Sequence, residues 1–109
     1  MAFNEALAER IRQELAHKKG VTEKKLFGCF CFLLHGNVCV GVWQQSLLVR
    51  LDVDDYADAL KEPCVREFDI TGRPLKGWVV VDPAGIQTDE QLKEWIQRAV
   101  AFVSKLRKK

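Results

Sequence analysis

Three of the four cysteines lie close together. Cys29-Phe30-Cys31 is a C-x-C, and Cys39 follows on the next apolar run. Thiolates at such spacing can hold zinc, but a zinc centre needs four ligands converging on one tetrahedral point. With a two-residue hairpin loop at Gly36-Asn37, Cys39 points away from Cys29 and Cys31. Same-side neighbours on a strand sit roughly 6–7 Å apart at Cα, the upper limit of disulfide geometry. The expectation is therefore that Cys29 and Cys31 are reduced, buried and metal-free, with Cys39 on the opposite face; an odd-length loop would reverse that facing and reopen the metal reading. His17 and His35 recruit no catalytic partner by spacing. Asp52, Asp54 and Asp55 lack the full calcium-loop pattern and read as helix capping. No serine-nucleophile motif, phosphate-binding loop or paired-carboxylate constellation appears. No catalytic residue, cofactor or metal is expected.

The segment Gly72-Arg73-Pro74-Leu75-Lys76-Gly77-Trp78 is the richest in partner chemistry. Arg73, Lys76 and Trp78 would let a loop meet an acidic or phosphate-bearing partner. The competing reading is a stiff strand connection whose Trp packs inside and whose cations are solvated.

These residues need elements to hold them. Phe3, Leu7, Ile11 and Leu15 recur every fourth residue, which predicts an amphipathic helix ending near Lys18, with Gly20 as its C-cap. Residues 24–34 read as a strand, 38–43 as its return, and 47–51 as a third strand after a turn at Gln44-Gln45. Asp54 caps a short helix that Pro63 stops. Residues 64–68 and 76–82 read as two further strands. Thr88 and Gln91 form a capping box opening a last helix with a broad apolar stripe from Leu92 to Leu106. The predicted order is α-β-β-β-α-β-β-α. Tight turns make the sheet mainly antiparallel, and the helices cover one face of a two-layer α+β domain spanning residues 1–109.

Alternation then sorts the hairpin. The Gly36-Asn37 loop places Cys29, Cys31, Leu33, Val38, Val40, Val42, Leu47, Val49 and Leu51 on an aliphatic face suited to the helices. Phe30, Phe32, Leu34, Cys39, Gly41, Trp43, Leu48 and Arg50 fall on the other, with the Phe32 ring over Gly41. That second face is too apolar for water and needs a cover: a helix edge, a loop such as residues 69–75, a second copy in a homodimer, or a partner. Phe30, Phe32, Trp43 and Arg50 are the candidate contact residues. Nucleic-acid stacking is a further option, with Arg50 as the one cation placed there.

Composition bounds the rest. The chain has 109 residues, 48% hydrophobic and 29% charged, which is ordinary globular composition. Its net charge of +2 does not indicate a dedicated nucleic-acid binder. Residues 1–20 mix charges with apolar residues and offer no signal-peptide core, and no run spans a bilayer. A cytoplasmic location with no membrane contact is expected.

Several segments together resemble the N-terminal domain of the TfoX/Sxy-type competence regulators. They are Val21-Thr22-Glu23-Lys24-Lys25-Leu26-Phe27-Gly28, Leu48-Val49-Arg50, the run from Phe68-Asp69-Ile70-Thr71 through Gly72-Trp78, and Val81-Asp82-Pro83. The usual Met-Phe-Gly-Gly is here Leu26-Phe27-Gly28-Cys29. The resemblance implies a two-layer α+β fold similar to secretion chaperones, and a non-enzymatic regulatory or protein-interaction module. Full-length regulators carry a second, C-terminal domain, which this chain is not expected to have. The alternative is a small ligand-binding protein or enzyme using a cleft between sheet and helices.

Overall fold

The computed structural model describes residues 5–26, 29–68 and 76–106. The first helix, α1 (Glu5–Glu14), buries Leu7, Ala8 and Ile11 on one stripe. It stops four residues earlier than the periodicity predicts, and Gly20, at φ +82°, sits in the left-handed region just before the first strand.

The run read as one strand over 24–34 is two. β1 (Val21–Leu26) and β2 (Cys29–Leu34) pair antiparallel, with Leu26 directly opposite Cys29. Glu23, Lys24 and Lys25 hide β1 from propensity rules, but charges of this kind are typical of a strand at a sheet edge, where they discourage pairing with other chains. β3 (Asn37–Trp43), β4 (Ser46–Arg50), α2 (Val53–Ala59), β5 (Val65–Glu67), β6 (Trp78–Val81) and α3 (Asp89–Val103) follow. The sheet is antiparallel in the order β1-β2-β3-β4-β6-β5, six strands rather than the five expected.

The β2–β3 turn is His35-Gly36, not Gly36-Asn37. Both its residues have positive φ, +52° and +85°, as a type I′ hairpin demands, and His tolerates that region better than most side chains. Leu34 pairs with Asn37 and Leu33 with Val38. The register then shifts, so that Phe32 meets Val40 and Phe30 meets Val42. Cys39 is the extra residue of this bulge. The bulge acts as an odd-length loop would: it flips β2 relative to β3 and β4. The β3–β4 turn falls at Gln44-Gln45 as expected, with Trp43 opposite Ser46.

The facing of β2 is therefore corrected. Phe32 and Leu34 lie under the helices with Cys39, Val40, Val42, Leu47, Val49 and Leu51, and Phe30 packs against the same cluster. Cys29, Cys31, Leu33 and Val38 lie on the other face with Trp43 and Leu48. The ring placed over Gly41 is corrected too: Gly41 pairs with Cys31, and a Cβ there would meet Cys31 Sγ at 3.2 Å. Cys39 remains on the opposite face from Cys29 and Cys31, with the two faces interchanged.

All three helices pack on one side. Leu7, Ile11 and Leu15 from the α1 region, Tyr56 and Ala59 from α2, and Leu92, Trp95, Ile96, Ala99 and Val103 from α3 share a single cluster with the sheet. α2 is capped by Asp52, whose carboxylate accepts from the Asp54 N–H, rather than by Asp54. The α3 capping box forms as read: Gln91 N–H donates to Thr88 Oγ1, and Thr88 N–H donates to Gln91 Oε1. No helix among the described residues is long and apolar enough to cross a membrane.

Candidate interaction surface

Among the described residues no helix packs on the second sheet face, yet it is dry. Cys29, Cys31, Leu48 and Val80 are all buried there, together with Phe68. Phe68 follows β5, an edge strand, but its ring centroid lies 5.9 Å from that of Trp43, edge to face at 80°. Trp43 belongs to β3, three strands in, or about 14 Å across the sheet. Phe68 thus leaves the edge and turns in over the face. Its ring also lies 6.4 Å from that of Trp78.

Trp43 and Trp78 are half-buried, so the aromatic group has a dry centre and a partly open rim. Gly77 sets the Trp78 end. It sits at φ +90°, a Cβ there would meet Leu51 O at 2.9 Å, and its carbonyl accepts from Leu51 N–H at 2.6 Å. This bond ties the start of β6 to the end of β4, where Arg50 pairs with Trp78.

Arg50 is half-buried. Its guanidinium carbon stands 5.3 Å from the Trp78 ring centroid and 5.8 Å from that of Phe102 on α3. Burial pulls its pKa down, and the nearby Cys39 opposes that. Lys76, two residues before Trp78, is exposed.

The candidate contact residues separate accordingly. Arg50 and Trp78 come together at one end of the sheet, exposed Lys76 stands two residues before Trp78 in the chain, and Trp43 joins Trp78 through Phe68. Phe30 and Phe32 do not join them. Their rings meet edge to face at 5.5 Å on the helix side, with Phe32 fully buried. Arg73, and the cover proposed from residues 69–75, lie outside the described residues. The sequence pattern places Phe68 at a strand end and Phe102 on the last helix's apolar stripe, and marks neither as a contact residue. For Phe68 the signal was present: it continues the strand alternation past Arg66, where a polar residue would stand if that side faced water.

The thiols are set for packing. Burial pushes Cys29 up to about 12, with a smaller push from Cys31, and burial likewise pushes Cys39 up to about 12. Such groups stay protonated and are poor nucleophiles or ligands. Among the described residues, no three of His, Cys, Asp and Glu converge as a metal site.

A cleft of about 610 Å³ opens between α2 and α3, with Leu51 just past β4 also lining it. Asp54, Asp55, Asp58 and Glu62 line one wall, and Arg98 and Lys105 the other. Arg98 is committed to structure, donating to Glu62 and Glu94 at 2.9 Å each.

Residues 13–103 match the family model described as the TfoX N-terminal domain. No curated protein and no solved structure matches the chain.

Proposed function

The chain belongs to the TfoX N-terminal domain family, and from that membership we propose that it is a non-enzymatic regulatory module that acts by binding another protein. The observation that carries this reading is the contact of half-buried Arg50 with Trp78, with exposed Lys76 two residues before Trp78 in the chain and Trp43 beyond it. Aromatic residues and arginine are the types most enriched at the centres of protein interfaces. A half-buried Arg fixed between two rings is already ordered, so binding there costs little further side-chain freedom. The cleft between α2 and α3 supports an enzyme less well, because Arg98 is occupied by Glu62 and Glu94.

The test is a photo-crosslinking amino acid at position 76, incorporated in the native host. One discrete adduct, absent when the same group is placed at the distant Glu9, supports the reading. An adduct of the chain with itself would identify the partner as a second copy. Absence of any discrete adduct defeats the proposal.

A further inference from the structure

Resting on that reading, we infer that the partner presents an acidic segment, and that one of its carboxylates is received by Arg50. The other described arginines show why. Arg10 pairs with Asp89 at 3.4 Å, Arg12 with Glu23 at 2.9 Å, Arg66 with Asp82 at 2.7 Å and Arg98 with Glu62 at 2.9 Å. Arg50 has no carboxylate partner among the described residues, although it is half-buried and has lost part of its hydration. Its contacts are the Trp78 and Phe102 rings. Ring contacts engage the guanidinium through its charge and its faces, and leave the in-plane N–H donors to be satisfied. Those donors form a fork that fits a carboxylate with two parallel hydrogen bonds.

The surroundings favour the same occupant. Lys76 is exposed and stands two residues before Trp78 in the chain. Lys76 is not ion-paired among the described residues. The half-buried Trp78 and Phe102 rings offer an apolar seat next to Arg50, suited to a segment in which an acidic residue adjoins an aromatic or aliphatic one. A nucleic-acid backbone fits less well. It demands a row of cations, whereas Asp52, Asp54 and Asp55 begin two residues beyond Arg50 and would repel a continuing run of phosphates.

The experiment is selection of a phage-displayed random peptide library on the whole protein, with counter-selection on Arg50→Gln, followed by titration of the enriched peptides. Peptides carrying Asp or Glu beside Phe, Trp or Leu are expected to bind about tenfold more weakly to Arg50→Gln, a loss of about 1.4 kcal/mol. Lys76→Gln, at an exposed position, should weaken them without touching the fold, and an unchanged circular dichroism spectrum checks both variants. Enriched peptides without carboxylates, equal binding to Arg50→Gln, no enrichment at all, or tighter binding of oligo-dT than of any acidic peptide each overturns the inference. The two proposals fail separately. A discrete protein adduct at position 76 that survives Arg50→Gln removes the acidic-segment inference and leaves the interaction module standing.

Discussion

The two faces of the sheet are buried by different means. One is covered by three amphipathic helices whose stripes interlock with Val40, Val42, Leu47, Val49, Val79 and Val81. On the other no helix packs among the described residues and aromatic rings lie over it, with Phe68 brought in from the edge against Trp43 and Trp78. On the helix face, many side chains share the burial, and loss of one leaves the rest in place. On the aromatic face, burial is concentrated in a few large rings, and the rim of that group is where the candidate contact residues lie. A small cover of this kind joins stability to surface function, because the residues that dry the face also shape what a partner meets.

The sharpest test of that difference is Phe68→Ala. Removing a fully buried ring should cost about 3–5 kcal/mol in urea unfolding. Leu92→Ala on the helix face should cost about 2–5 kcal/mol, so the size alone does not separate the faces. Thiol accessibility does. In a Cys64→Ser background under native conditions, Phe68→Ala should let a thiol reagent reach Cys29 and Cys31 while Cys39 stays protected. Leu92→Ala should not expose Cys29 or Cys31. Equal protection of all three in Phe68→Ala would mean that Phe68 is not the cover.

Gly77→Ala comes next. It forces a side chain into the left-handed region and against Leu51 O, for about 1–3 kcal/mol. It should also move Trp78 away from Arg50. A shift in tryptophan fluorescence together with the stability loss is expected; full stability would show that the β4–β6 junction adapts to a Cβ.

Trp43→Ala should have a smaller effect, since Trp43 is half-buried and at the rim. With the face closed within one chain, the variant should melt at a lower temperature and sediment as the wild type does. A wild-type dimer that Trp43→Ala splits into monomers would reassign the cover of this face to a second copy.

Much of the fold was legible because helical stripes and strand alternation are local signals. The α3 capping box is written in Thr88 and Gln91, and the β3–β4 turn follows from two polar residues between apolar runs. The facing of β2 was not legible, because a bulge is a property of two strands together: nothing in Val38-Cys39-Val40 alone says that Cys39 is extra. That one residue moved Phe30, Phe32 and Leu34 beneath the helices and left the candidate surface to Trp43, Trp78 and Arg50. β1 was hidden by Glu23, Lys24 and Lys25, whose charges suit a sheet edge and contradict strand propensity. The contact of Arg50 with Phe102 joins residues far apart in the chain, which no local pattern displays.

The gentlest comparison of the faces uses pH, because each holds a buried cysteine with a raised pKa. Cys29 and Cys39 titrate at about 12 when folded, against an ordinary value of 9.0. The folded state therefore holds these protons more tightly than the unfolded state does. The stability linked to them is fully present below the ordinary value and is lost as pH rises from 9.0 toward about 12. Urea midpoints should be flat with respect to these groups near neutrality and fall progressively above pH 9.0. Other groups also respond to alkali, so the informative quantity is the difference in slope between the wild type and single Cys→Ala variants. Cys29→Ala and Cys39→Ala should each flatten the alkaline fall, one reporting the aromatic face and the other the helix face. If the aromatic cover opens more readily than the helix layer, Cys29 samples water more often, its folded pKa lies closer to the ordinary value, and Cys29→Ala flattens the fall less. Equal flattening by both variants would mean that a few rings exclude water as well as three helices do.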